Sequence, residues 1–88
     1  MPDKISQLAR SATLRQLQVF EAIARHQSFS KAAEELHLTQ PTVSMQVKKL
    51  AEVLEIKLFE NIGRKAYLTE AGKALLEAVE LVLSSLSV

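Results

Sequence analysis

The sequence predicts a mainly α-helical domain: three short helices, a two-stranded hairpin, then one long closing helix. Three observations predict it. Apolar residues recur at three- and four-residue intervals through most of the chain. Helix-start signals stand where those stretches begin: Thr13 with Gln16, Gln40-Pro41, and Thr69-Glu70. Gly63 lies between two short β-prone runs, Leu58-Phe59-Glu60 and Ala66-Tyr67-Leu68. With 88 residues in all, the chain makes one domain with a small core, a size that favours further support such as dimerisation.

Residues 1–12 show no clear period and read as an N-terminal extension, partly helical through Ile5 to Arg10. Thr13-Leu14-Arg15-Gln16 is a capping box. The helix behind it runs to about His26, with Leu17, Phe20, Ile23 and Ala24 on its buried face. Ser30 is the expected N-cap of a second helix, Lys31 to about Leu36, whose Ala32 and Ala33 let another helix approach closely. His37-Leu38-Thr39 is a tight connection. Gln40-Pro41 opens a third helix, with proline in the first turn, where a missing N–H does no harm. That helix runs to about Leu54. The segment Asn61 to Lys65 forms a basic hairpin tip, and Gly63 supplies the positive φ of a tight turn. Thr69 caps a last helix from Glu70 to about Leu86, with Glu70 placed to suit the helix dipole.

Composition removes several function classes. There is no cysteine, so disulfides, thiolate zinc sites and cysteine nucleophiles are out. His26 and His37 have no acid cluster with metal-ligand spacing, and two glycines cannot build a phosphate-cradling loop. No nucleophile–base pair stands out, so neither an enzyme nor a cofactor or metal is expected. The apolar runs are too short and interrupted for a bilayer, and Met1-Pro2-Asp3-Lys4 lacks the form of a signal peptide, which points to the cytoplasm. Net charge is only +1. Its distribution is uneven: Lys48, Lys49, Lys57, Arg64 and Lys65 make the middle basic, and the tail has Lys73 against Glu70, Glu77 and Glu80.

A short helix, a tight turn and a third helix make a helix-turn-helix unit, whose second helix enters the major groove of DNA; the hairpin after it is a wing. On a helical wheel Val47, Leu50 and Leu54 fall within about 40° of Val43. The opposite face holds Pro41, Ser44, Met45, Lys48 and Glu52, with Thr42 and Lys49 on one flank. Hydroxyls suit base edges or phosphates, Met45 suits a thymine methyl, and the lysines suit phosphate or guanine. Gln40, at the helix start, suits an adenine edge or a phosphate. Ser30 and Lys31 open the second helix, where free N–H groups attract phosphate. Arg64 and Lys65 tip the wing. On the last helix Leu75, Val79, Val82 and Leu86 form one stripe, widened by Leu76 and Leu83 on one side and by Ala74, Ala78 and Leu81 on the other. An apolar arc wider than one small core needs points to a second copy of the chain. The expected division is therefore an extension over 1–12, a reading unit over 13–68 and a pairing helix over 69–88. The rival from another class is a helical protein-interaction module with an incidental basic face.

The motifs Leu17-x-x-Phe20, Ser28-Phe29-Ser30-x-Ala32-Ala33-x-x-Leu36, Thr39-Gln40-Pro41-x-Val43-Ser44-x-Gln46-Val47-x-x-Leu50, Leu58-Phe59 and Leu68-Thr69-x-Ala71-Gly72 resemble the DNA-binding domain of LysR-type transcriptional regulators. The resemblance runs from about Thr13 to the end. It implies a winged helix-turn-helix, a long linker helix that pairs two subunits, and an inducer-sensing C-terminal domain, absent from this chain, that builds tetramers. It also implies partly palindromic promoter sites with a T-N11-A core. Carried over, Gln40, Pro41, Thr42, Ser44, Met45 and Lys48 face the groove. Two positions depart from the pattern: Ala51 stands where Glu is common after Leu50, and Asn61 where Arg is common. The second shifts phosphate binding at the wing toward Arg64 and Lys65. The runs Thr13 to Phe20 and Asn61 to Lys65 are similar to the branch that regulates carbon-dioxide fixation and inorganic-carbon uptake.

Overall fold

The computed structural model describes residues 13–86; the expected extension over 1–12 lies outside them. Helix α1 spans Leu14–His26, α2 Phe29–Leu36, α3 Gln40–Leu54 and α4 Glu70–Leu86, with strands β1 (Phe59–Ile62) and β2 (Lys65–Leu68) between α3 and α4.

Each start follows from local chemistry. The Thr13 hydroxyl accepts from the Gln16 N–H while Gln16 Oε1 accepts from the Thr13 N–H, at 3.1 and 3.0 Å, closing the expected capping box. At α2 the structure corrects the sequence reading. Ser28, not Ser30, is the N-cap: its backbone is extended and its hydroxyl accepts from the Lys31 N–H at 3.0 Å. The physical reason is Phe29, whose ring meets the Phe59 ring edge-on at 5.8 Å and so belongs to the helix rather than to the break before it. Thr39 caps α3, with Pro41 in the first turn.

The helix ends hold a feature that composition hides. Gln27, His37 and Glu55, which close α1, α2 and α3, all adopt left-handed backbone with φ of 53°, 57° and 56°. Glycine usually occupies such positions. Here the αL conformation (normally costly for residues with a Cβ) is held by backbone bonds into the preceding turns of α2 and α3.

The core lies between α1, α2 and α3. Val19, Phe20, Ala22 and Ile23 from α1, Ala32 from α2, and Val43 and Leu50 from α3 are fully buried. The Phe20 and Phe59 rings meet at a tilt of 51°, centroids 5.4 Å apart, tying the wing to the helices. The wing is antiparallel, pairing Phe59 with Leu68 and Ile62 with Lys65, so its loop is the pair Gly63-Arg64. Gly63 has φ of +62°, as the first loop residue of a type II′ hairpin turn requires. The hairpin is thus tighter than the expected tip: Asn61, Ile62 and Lys65 belong to its strands. One further bond, from the Ala66 N–H to the Gln27 carbonyl at 3.0 Å, fastens β2 to the turn between α1 and α2. Helix α4 packs back on α1 and supplies Val79 to the same core.

Candidate nucleic-acid interface

Helix α3 divides cleanly. Val43, Val47, Leu50 and Leu54 are buried, so the opposite face must point away from the domain. Gln40, Pro41, Ser44, Met45, Lys48 and Lys49 are exposed and Thr42 is half-buried. Thr42 shares its hydroxyl with Thr39 at 2.8 Å, which orients both at the start of the helix. Met45 is 46% exposed, a large apolar side chain among hydroxyls, an amide, Pro41 and ammonium groups. Gln46 is half-buried at the flank.

The remaining sequence-predicted residues cluster by element. Ser30 and Lys31 are exposed in the first turn of α2, and Ser28 does the capping, which leaves the Ser30 hydroxyl outside that bond. Arg64 and Lys65 are exposed at the wing tip. Lys31, Lys48, Lys49, Arg64 and Lys65 take no carboxylate partner among the described residues. Their charge is therefore available to an anion.

Another set of charges is paired internally. The Arg25 guanidinium bonds both Glu35 oxygens at 2.6 and 2.7 Å and both Glu21 oxygens at 2.8 and 3.0 Å, and His26 Nε2 lies 2.8 Å from Glu35. This network joins the end of α1 to α2. Hydrogen bonds from Arg25, then His26, pull the Glu35 carboxyl down to about 2, and the two carboxylates push the Arg25 guanidinium further up. Glu21 and Arg25 are four residues apart on α1, but Glu35 stands nine and ten residues from His26 and Arg25 and meets them only once α2 folds against α1, so no local pattern marks the network. No group of three or more His, Cys, Asp or Glu among the described residues is placed to hold a metal, and no described helix is long and apolar enough to cross a membrane.

On α4 the structure sorts the expected pairing residues. Val79 is fully buried in its own domain, and Leu75 is half-buried beside it. Val79 is thus a core residue, because the face of α4 toward α1 packs Leu75, Leu76, Val79 and Leu83 on the core. Val82 and Leu86 do reach solvent, at 38% and 59%, and Leu81 is the most exposed apolar residue at 74%. The outward apolar seam therefore runs through Ala74, Ala78, Leu81 and Val82 toward Leu86, one notch round from the expected stripe.

Three helices with an exposed second helix-turn-helix member, a hairpin hinged against them and a long trailing helix define a winged helix-turn-helix domain. Residues 14–73 match the family model described as bacterial regulatory helix-turn-helix protein, lysR family. The chain belongs to that family. It is 58% identical over 77 residues to the HTH-type transcriptional activator CmpR of Synechocystis sp., covering 88% of this chain and 25% of that protein. It is 56% identical over 77 residues to the RuBisCO operon transcriptional regulator of Acidithiobacillus ferrooxidans, with the same coverage, 88% and 25%. The chain thus spans about a quarter of the length of these relatives. Among solved structures it resembles the CbnR DNA-binding domain in complex with DNA (TM-score 0.79, 36% identity, 82% of this chain and 83% of that one). It resembles equally the BenM DNA-binding domain on benA site 1 DNA (TM-score 0.79, 37% identity, 83% and 82%).

Proposed function

We propose that this chain is the sequence-specific, double-stranded-DNA-binding part of a transcription regulator, working as a homodimer in the cytoplasm. The observation that carries the reading is the α3 face: open to solvent through Ser44, Met45, Lys48 and Lys49, free of acid through Ser44–Lys49, and flanked by three more cations on α2 and the wing that no carboxylate holds. The helix, at about 1.5 Å per residue, is long enough to lie along a major groove about 12 Å wide. Gln40, Pro41, Thr42, Ser44, Met45 and Lys48 meet base edges. Lys49, with Ser30 and Lys31 at the start of α2, anchors phosphates, and Arg64 and Lys65 reach the neighbouring backbone or minor groove. Two copies pair through the outward seam of α4, and a longer protein builds tetramers from such pairs. The division into a reading unit over 13–68 and a pairing helix over 69–88 belongs to this proposal. That one relative is a regulator of a RuBisCO operon supports a promoter for carbon-dioxide fixation as the target, and a partly palindromic site suits the two-fold dimer.

Selection of bound duplexes from a random DNA library tests the proposal. The expected result is a partly palindromic site bound far more tightly than scrambled duplex. Equal binding to both, or none, overturns it in favour of a protein-interaction module.

A further inference from the structure

Helix α4 does not simply follow the wing; it is clamped to the wing's base. The Thr69 hydroxyl donates to the Lys57 carbonyl at 2.6 Å and accepts from the Gly72 N–H at 3.0 Å. The Thr69 N–H donates to the Leu58 carbonyl at 3.0 Å. Gly72 then lies flat against the same Leu58 carbonyl. A Cβ on Gly72 would collide with that oxygen and stand 3.0 Å from Leu68 Cδ2. One joint thus sets the angle between the helix that carries the pairing seam and the body that carries α3. A second fixed point is Val79, fully buried against the core.

We propose that Thr69 and Gly72 are positioning residues that set the distance between the two DNA half-sites the dimer reads. The inference rests on the dimeric DNA-binding reading above. Its scale follows from geometry. Gly72 lies about 10 Å along the helix axis from Val79 at 1.5 Å per residue. Relieving a methyl–carbonyl collision takes about 1 Å, which tilts α4 by about 5° about Val79. The domain's longer dimensions are 37 and 30 Å. Over an arm of about 30 Å, that tilt moves α3 by about 3 Å in each protomer. The two-fold doubles the displacement, against a rise of about 3.4 Å per base pair.

The test uses the 88-residue chain and the half-site obtained by selection. Inverted half-sites are placed at separations varied one base pair at a time, beside a duplex holding one half-site. Gly72→Ala is expected to move the preferred separation by one or two base pairs while single half-site affinity stays within about twofold. Thr69→Val removes the hydroxyl bonds without adding bulk. It is expected to keep the optimum but lose at least threefold of the preference for it over its neighbours. Unchanged separation profiles in both folded variants overturn the inference. So does a uniform loss on every duplex, the single half-site included, which marks a merely structural role. Should Gly72→Ala fail to fold by circular dichroism, the Thr69→Val profile decides alone. A wild-type chain that binds no duplex overturns the DNA-binding reading itself, whereas wild-type binding with variant profiles unchanged overturns only the joint.

Discussion

Neutralising Lys49 tests the interface through the salt dependence of binding. Lys31, Lys48, Lys49, Arg64 and Lys65 are exposed, unpaired cations at the start of α2, on the α3 face and at the wing tip. The log–log slope of affinity against salt is shallower with Lys48 on a base edge; at the limit where all five reach phosphate in both protomers, about ten counterions leave the duplex and it is about −9. A fourfold rise in salt would then cost about 10⁵-fold in affinity. Lys49→Ala removes two contacts per dimer, so the slope becomes shallower by about 1.8 and the same fourfold rise costs about tenfold less. Lys73→Ala is the control, because Lys73 lies 3.2 Å from Glu70 on α4, away from the α3 face. It should leave the slope within error. Fluorescence anisotropy of a labelled duplex over a potassium chloride series reads both variants. A slope that Lys49→Ala leaves unchanged, or that Lys73→Ala alters as much, refutes the assignment of Lys49 to phosphate.

Val79→Ala should lower monomer stability by about 2 kcal/mol, because two methyl groups leave a fully buried position. Leu81→Ala should leave monomer melting nearly unchanged yet weaken dimerisation at least about tenfold by sedimentation. Met45→Ala should alter preference among selected sites by about 1–3 kcal/mol per lost base contact, read by competition between duplexes, while scrambled DNA binds as before. The Glu35 carboxyl sits near 2 when folded against an ordinary 4.5. Its depressed value means that the unfolded chain takes up the proton first, so its contribution is present above pH 4.5 and lost as pH falls toward 2. Glu35→Gln should therefore flatten the acid-unfolding curve across that window, measured by circular dichroism.

What could be read from the sequence was whatever depends on neighbours in the chain. The Thr13–Gln16 box, the Pro41 helix start and the Val43–Leu54 stripe are local patterns with one physical solution each, and the structure has all three. Ser28 and Ser30 are equally good caps in isolation, so local chemistry does not choose between them. Only the Phe29–Phe59 contact, thirty residues away in sequence, selects Ser28. Val79 was drawn into the pairing stripe for a related reason. A helix apolar around more than half its girth has two buried faces, and periodicity does not say which belongs to its own core. The packing of α4 on α1 makes that choice. Gly72 was readable as a close contact, but its partner, the Leu58 carbonyl, is backbone and leaves no mark in the residue pattern.

Charge explains why a chain with a net charge of only +1 can still offer a face to DNA. Glu21 and Glu35 are bound up with Arg25 and His26 where α1 meets α2, and Glu70 with Lys73 on α4. Glu70 and Lys73 cancel locally, and Arg25 offsets one of its two carboxylates, so these groups send little field beyond a Debye length. The cations on α3, at the start of α2 and on the wing have no such partner, so the charge near the groove-facing helix is more positive than the total. Where each charge finds its partner, rather than how many there are, sets what the domain presents to an anion. A variant that broke the Arg25–Glu35 pair would therefore act on DNA only indirectly, through the packing of α2, and would leave the salt slope alone. A loss of slope from Glu35→Gln equal to that from Lys49→Ala would overturn this separation of the two charge sets.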